Sequence, residues 1–246
     1  MDEHGKGIKM DNKLLQQYIS DNPQSKLKDV VVKLMYDQII NLSILPASKL
    51  NINQLAQNLG ISRTPVAEAV GELMDRGLIV TREDNPGYYV MTLNMNDMID
   101  LYRVRTALEC EAAAVCTERA SEETIKQLEE MAKDFTNCAM DRDSEGMTEA
   151  DMPFHRLVVD SSHDPYLIKC YDLMVPYLSM YQKAMTRAVA TDRENPWYPS
   201  VIHNHEAIAS AIRMHIPDLA RTAMKDHINA SLNYSTYTKN NTLFNY

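Results

Sequence analysis

Residues 51–77 restrict the fold more than any other stretch, because two short helical patterns stand there on either side of a glycine. Asn51 or Asn53 can cap the first helix, and Gly60 can end it in the left-handed conformation that glycine adopts readily. Gly77 ends the second helix in the same way. Two short helices joined by a tight turn predict a helix-turn-helix.

The second of these helices has a sharply defined start in the stretch SRTPVAEAV, residues 62–70. Pro65 takes the first helical position if Thr64 is the N-cap and the third if Ser62 is, and its missing N–H is tolerated at both. The free N–H groups and positive dipole end of a helix N-terminus attract phosphate. We therefore predict that Ser62, Arg63 and Thr64 contact the phosphate oxygens or base edges of DNA.

Residues 26–94 extend this motif to a winged helix. Apolar residues at helical spacing over residues 27–39 predict a helix before the helix-turn-helix. The stretch LIVTREDNPGYYV, residues 78–90, places two β-prone runs around a Pro-Gly turn, which predicts a hairpin, or wing, with Arg82 near its tip as a further DNA contact. The region has seven basic and seven acidic side chains, so nonspecific binding to DNA should be weak.

Residues 95–236 have almost no glycine and many helix formers, which predicts an all-α region. We expect about six helices, near residues 95–119, 122–141, 144–161, 165–190, 198–214 and 217–234. The polar flanks, residues 1–25 and 237–246, are expected to form an N-terminal arm and a C-terminal tail. The predicted fold class is mainly α: a winged helix-turn-helix with a small β-hairpin, followed by an all-α bundle.

Polar side chains lie on faces of these helices that should be buried. Asp151 and His155 are one turn apart on the apolar stripe of the third helix of the bundle. On the fifth helix His205 aligns with apolar residues, whereas His203 points about 160° away. His227 follows an apolar stripe on the sixth helix.

Three inward imidazoles and one carboxylate suit a divalent metal ion such as zinc, nickel, manganese or iron. The candidate metal ligands are therefore Asp151, His155, His205 and His227. Each histidine alone is more often a hydrogen-bonded core residue, and the spacing alone leaves the two interpretations evenly balanced.

Arg105 is a further charged residue on a face that should be buried, in line with apolar residues of the first helix of the bundle. A buried guanidinium needs an anion. One candidate is an internal ion pair with Glu109 or another acid. The other is the carboxylate of a small organic effector, held jointly by Arg105 and the metal. Arg103, in contrast, should face outward.

Composition and the N-terminus exclude several classes of protein. The 246 residues contain no apolar run near the roughly 18–20 residues that span a bilayer, and the chain starts without the pattern of a secretory signal. We therefore expect a cytoplasmic protein with no membrane partner. The four cysteines show no C-x-x-C pairing, so neither a zinc knuckle nor a redox pair is predicted. The net charge of -9 argues against wholesale coating of nucleic acid but is compatible with a local basic contact.

Residues 26–94 resemble the N-terminal domain of the GntR family of bacterial transcription regulators. The family's pattern around the recognition helix is close to S-R-T-P-V-R-E-A-L, and this chain has SRTPV and the following E-A in register. The chain departs from the pattern at Ala67, where the family usually has a second arginine that reaches DNA, and at Val70 and Gly71. An arginine contact to guanine discriminates by about 1–3 kcal/mol, so its absence should loosen or redirect base recognition.

The bundle resembles the FCD effector domain. ADMPFHRLVVDSSHDPYL is similar to its D-x-x-F-H segment, and HNHEAIASAIRMHIPDLARTAMKDHI is similar to its H-x-x-I-x-x-A-I, D-x-x-x-A and H segments. YRVRTALECEAA is similar to its R-x-x-L-E segment, which implies that Arg105 faces the effector cavity. The metal ligands that the resemblance implies are Asp151, His155, His205 and His227. Over residues 26–234 the chain is identified as a FadR-type GntR regulator of the metal-containing subgroup.

The expected function is that of a metabolite-responsive transcription regulator, specifically a repressor. We expect a homodimer that binds pseudo-palindromic operator DNA and a small organic carboxylate. The expected cofactor is a divalent metal ion, with zinc first and nickel, manganese or iron as alternatives.

A rival hypothesis is a metal-dependent enzyme, in which the three-His, one-Asp centre activates water. This enzyme would lack a general base, because no inward glutamate or spare histidine is expected beside the ligands, and it would not explain the winged helix. A third hypothesis is a direct metal sensor.

Overall fold

The computed structural model describes residue 8, residues 10–192 and 194–238, and residue 244. The chain forms two compact units, the first ending at Leu93 and the second beginning at Asn94. The first unit combines helices with a small sheet, and the described part of the second unit is helical. The predicted fold class is confirmed. None of the described helices has the length and apolarity needed to cross a membrane.

The first unit contains four helices and three short strands over its described residues. In chain order they are α1 (Asn12–Asp21), α2 (Leu27–Ile40), β1 (Lys49–Leu50), α3 (Ile52–Leu59), α4 (Arg63–Asp75), β2 (Ile79–Thr81) and β3 (Tyr88–Val90).

Helix α1 lies within residues 1–25, which the sequence suggested would form a polar arm. Asp11 caps the helix, and Leu15 is fully buried. The side-chain amide of Asn12 donates a hydrogen bond to the carbonyl of Leu59 at 2.7 Å. The hydroxyl of Tyr18 donates a second tertiary hydrogen bond, to Asp37 on α2 at 3.0 Å. Leu14, Leu15, Tyr18 and Ile19 recur at helical spacing, so the prediction of an arm overlooked a local helical pattern. Residues 1–7 and 9, and most of the predicted tail over residues 237–246, lie outside the described residues.

The predicted hairpin consists of β2 and β3, which pair antiparallel with Ile79 opposite Val90. Strand β1 adds to the other side of β3, with Lys49 opposite Tyr89, so the sheet order is β1-β3-β2. The sequence did not predict β1, because two residues are too few to show a strand's alternation.

Helices α3 and α4 form the helix-turn-helix. Asn51 caps α3 by accepting hydrogen bonds from two backbone N–H groups, and Gly60 ends the helix with a φ of 69°. Ser62 is the N-cap of α4, so Pro65 is its third residue and the alternative N-cap at Thr64 is wrong. The buried face of α4 consists of Val66, Ala69, Val70 and Leu73.

The second unit is a bundle of long helices with one short one. They are α5 (Met95–Arg119), α6 (Glu122–Asp141), α7 (Ser144–Ser161), α8 (Pro165–Thr191), α9 (Tyr198–Ile202), α10 (Asn204–Arg213) and α11 (Pro217–Tyr237). Helix α5 packs against α7, α8, α10 and α11. Its inner face therefore meets the helices that carry every candidate metal ligand.

The helix predicted near residues 198–214 is divided at His203 into α9 and α10. At the break, the hydroxyl of Thr136 on α6 donates a hydrogen bond to the carbonyl of Ile202 at 3.2 Å. This side-chain contact comes from a distant part of the chain, so the local sequence pattern could not reveal the break.

Candidate metal centre

The four predicted metal ligands lie together in the interior of the second unit. Asp151 and His155 come from α7, His205 from α10 and His227 from α11, and each is buried. One ligand atom from each residue can be chosen so that all four lie within 4.8 Å of one another. His203 is exposed, as the direction of its side chain on the helix predicted.

Two of the separations between these atoms match those of ligands on a shared ion, and a third is slightly longer. Nε2 of His155 lies 3.0 Å from Nε2 of His227. Oδ1 of Asp151 lies 3.1 Å from Nε2 of His205 and 3.7 Å from Nε2 of His155. Two donors that each bind one ion at about 2.1 Å stand about 3.0–3.4 Å apart when they subtend a right or tetrahedral angle.

Unsatisfied polar atoms also mark this cluster as suited to a ligand. Both ring nitrogens of His205 and Nδ1 of His227 are buried and form no hydrogen bond with any described residue. Buried polar groups in proteins are nearly always paired. The site therefore has the donor types, the spacing and the unpaired atoms that a divalent ion would satisfy.

The electrostatic environment keeps three of the four ligands in the forms that bind metal. For His155, burial alone would lower the pKa, but the nearby charges of Glu109 and Asp151 raise it. Burial together with the nearby charges of His205 and His155 holds the pKa of His227 well below its ordinary value. Burial also lowers the pKa of His205. Burial alone would raise the pKa of Asp151, but His155 and His205 outweigh it and hold that pKa well below the usual range. Two neutral imidazoles and a carboxylate are thus available near neutral pH, as metal binding requires.

Arg105 lies beside this cluster and forms a buried ion pair. Its Nε donates to Oε1 of Glu109 at 2.8 Å, with both side chains at most 3% exposed. This is the internal partner that the sequence suggested as an alternative to an effector carboxylate. Oε2 of Glu109 lies 2.7 Å from Nδ1 of His155, on the opposite side of that ring from the other ligands.

Glu109 also corrects one expectation, because an inward glutamate does lie next to a candidate ligand. Burial would raise its pKa, but the charges of Arg105 and His155 lower that pKa to about 2. The carboxylate is therefore ionised and engaged by both neighbours. The sequence had offered the ion pair with Arg105 as an alternative to an effector carboxylate. No signal in the sequence predicted the contact with His155, which depends on how α5 and α7 pack.

Three further buried donors at or near Arg105 have no hydrogen-bond partner in the described part of the chain. They are Nη2 of Arg105 and the hydroxyls of Tyr102 and Tyr171. The guanidinium of Arg105 lies 5.2 Å from the ring centroid of Tyr102. Burial raises the pKa of Tyr102 and raises the pKa of Tyr171 well above its ordinary value. This concentration of unpaired donors would suit an anion, and the sequence did not single out Tyr171.

The predicted DNA-contacting residues lie in the first unit. Ser62, Arg63 and Thr64 are exposed at the N-terminus of α4, and the side chain of Ser62 makes no capping hydrogen bond. Arg82 follows β2, and its guanidinium stacks 4.4 Å from the ring centroid of Tyr89. Ala67, where the resemblance calls for an arginine, is also exposed on α4.

A winged helix-turn-helix in one unit and a buried cluster of charged and imidazole side chains in the other are the parts expected of a ligand-responsive DNA-binding regulator. Residues 27–90 match the family described as bacterial regulatory proteins, gntR family, and residues 100–230 match the FCD domain. The chain belongs to the GntR family of bacterial regulatory proteins and carries an FCD domain.

Individual relatives agree with this membership. The chain is 32% identical over 133 residues to the uncharacterized HTH-type transcriptional regulator YdhC of Bacillus subtilis (strain 168), covering 52% of this chain and 58% of that protein. It is 25% identical over 215 residues to the galactonate operon transcriptional repressor of Escherichia coli (strain K12), covering 79% and 90%. The structure of McbR/YncC from E. coli has the same fold, with a TM-score of 0.67 at 20% identity, covering 87% of this chain and 100% of that one.

These comparisons answer the enzyme hypothesis. The family and its named relatives are transcription regulators, so the chain is not assigned to an enzyme class. The contact between Glu109 and His155 therefore needs an explanation other than general-base catalysis.

Proposed function

We propose that this protein is a metabolite-responsive transcriptional repressor that binds operator DNA, a divalent metal ion and a small organic carboxylate. The observation that carries the proposal is the convergence of one carboxylate and three imidazoles, all buried, from three helices. The relative named as the galactonate operon transcriptional repressor supports repression as the mode of regulation, and galactonate is a sugar acid.

The metal would be held by Asp151, His155, His205 and His227, whose candidate ligand atoms lie within 4.8 Å of one another. Zinc fits this donor set first, and nickel, manganese and iron are alternatives. The ion would supply a positive centre that binds an effector oxygen. The protein supplies neutral rings, a carboxylate and a surrounding core that excludes water.

The balance of buried charge supports a carboxylate as the effector. Arg105, Glu109 and Asp151 together carry one net negative charge when the three imidazoles are neutral. A divalent ion changes this to one net positive charge, which a single carboxylate would neutralise. Because buried charges need partners, the centre with its metal favours an anion, and Nη2 of Arg105 is an unpaired donor for it.

The first unit would bind DNA through the exposed start of α4. Ser62, Arg63 and Thr64 are free to reach phosphate oxygens and base edges, and Arg82 would add a contact from the wing. A homodimer would place two such helices on a pseudo-palindromic operator. Such a regulator would act in the cytoplasm, where the operator is. The effector would have to bind one arrangement of the dimer more tightly than the other, because a ligand with equal affinity for both does not shift the equilibrium between them.

A selection from genomic DNA tests the proposal. The zinc-loaded protein is incubated with fragmented DNA of its source organism at fixed salt, because affinity depends steeply on salt, and the retained fragments are sequenced. We expect an inverted repeat beside genes for the metabolism of a sugar acid or another carboxylate. Arg63→Ala should lose this enrichment, whereas Arg103→Ala, an exposed arginine on α5, should keep it. Equal enrichment with both variants would contradict the proposed DNA contact.

A further inference from the structure

Glu109 stands between the candidate metal ligands and the arginine proposed to face the effector. One carboxylate oxygen accepts a hydrogen bond from Nε of Arg105 at 2.8 Å, and the other lies 2.7 Å from Nδ1 of His155. All three side chains are at most 3% exposed. This burial shields the contacts from bulk solvent.

The contact with His155 uses the ring nitrogen that faces away from the other ligands. Nε2 of His155 points toward His227 and Asp151, while Nδ1 points toward Glu109. When Nε2 binds a metal, the proton of the neutral ring is on Nδ1, where a carboxylate can accept it. Such outer carboxylates fix the orientation of a ligating histidine and increase its basicity.

Only a carboxylate can satisfy both neighbours. Arg105 Nε and the protonated Nδ1 of His155 are both donors, and a carboxylate has an acceptor oxygen for each. A glutamine of the same shape has a single acceptor oxygen and would turn its NH₂ group toward one of the two donors. The chemistry of the site thus requires a charged acid at position 109 rather than a polar side chain of similar size.

We propose that Glu109 is a positioning residue that orients His155 for the metal and Arg105 for the effector, and so links the two binding sites. The inference rests on the proposed metal centre. Glu109 would not bind the ion itself. Its removal should nevertheless weaken metal binding, because His155 would lose the acceptor that fixes its ring and increases its basicity.

Zinc binding to the 246-residue chain tests this role, with affinity measured in competition with a chromophoric chelator. Glu109→Gln should weaken zinc binding about 10- to 100-fold. Glu111→Gln is the matched control, because Glu111 lies on the same helix but forms an exposed ion pair with Arg221, and its affinity should stay within about twofold. Wild-type affinity in Glu109→Gln would overturn the proposal.

A second readout separates positioning from a merely structural role. At saturating Co²⁺, the visible absorption of the bound ion reports its ligand environment, and Glu109→Gln should shift these bands while Glu111→Gln leaves them unchanged. A loss of affinity with an unchanged Co²⁺ spectrum would mean that Glu109 only stabilises the fold, and would also overturn the proposal.

Two further variants keep the test decisive. Glu109→Gln could fail to fold because Arg105 is left unpaired. In that case the double variant Arg105→Gln/Glu109→Gln, which removes both charges, is compared with Arg105→Gln alone. Equal zinc affinity in these two variants would contradict the role of Glu109. Asp151→Ala tests the metal centre itself. Wild-type zinc affinity in Asp151→Ala would refute that centre, whereas loss of zinc there, with none in Glu109→Gln, would refute only the role of Glu109.

Discussion

The two units place their arginines in opposite environments. Arg63 is exposed at the start of α4, whereas Arg105 is buried against Glu109 in the core of the second unit. An exposed arginine contributes little to stability and is free to bind a partner. A buried arginine needs an oppositely charged partner within the folded chain, so it contributes to stability as well as to binding. Substitution of Arg63 should therefore affect binding alone, and substitution of Arg105 should affect both binding and stability.

The largest effect on stability is expected for Arg105→Ala. The change leaves the Glu109 carboxylate buried with His155 as its remaining charged neighbour, and breaking a buried ion pair costs about 3–5 kcal/mol. Trp197, the single tryptophan of the chain, lies in the second unit, so its fluorescence can follow the denaturant unfolding of that unit in metal-free protein. Arg103→Ala should change the free energy of unfolding by less than about 0.5 kcal/mol. Similar losses in the two variants would break the comparison between buried and exposed arginines.

The next largest effect is expected on metal binding, where substitutions of two histidines that are two residues apart are compared. His205 is buried at the candidate centre and His203 is exposed. His205→Ala removes a proposed ligand, so zinc affinity should fall by more than the roughly 10–100-fold that follows loss of an outer-sphere residue. His203→Ala should bind zinc as wild type does. Metal content after dialysis, measured by elemental analysis, checks both, and an equal loss would mean that His205 has no special role.

Features that depend on local spacing were predictable from the sequence, and those that depend on packing were not. The helix-turn-helix, the hairpin and the inward direction of His205 follow from caps, turns and the 3.6-residue period. The spacing of the four candidate ligands left a core interpretation open, and resemblance to the FCD domain was needed to favour a metal. The contact of Glu109 with His155 could not be predicted, because it joins α5 to α7 across 46 positions of the chain.

A smaller effect is expected for DNA binding by the first unit. Arg63→Ala removes one charged contact at the start of α4, which should weaken operator binding by about 1–3 kcal/mol if the arginine reads a base. Because Arg63 is exposed, the variant should unfold at the same denaturant concentration as wild type. Affinity is measured by fluorescence anisotropy at matched salt, with the operator found by selection. Full affinity in Arg63→Ala would contradict docking through this helix terminus.

The smallest effect separates two polar residues that both begin helices in the first unit. Asn51 accepts hydrogen bonds from the N–H groups of Asn53 and Gln54, whereas the side chain of Ser62 makes no capping bond to α4. Asn51→Ala should therefore destabilise α3 by about 1 kcal/mol, seen as faster hydrogen exchange of its amides. Ser62→Ala should leave exchange in α4 unchanged and weaken DNA binding alone. Faster exchange in α4 of Ser62→Ala would show that Ser62 caps the helix in solution. Its exposed hydroxyl would then be engaged by α4 itself and no longer free to contact DNA.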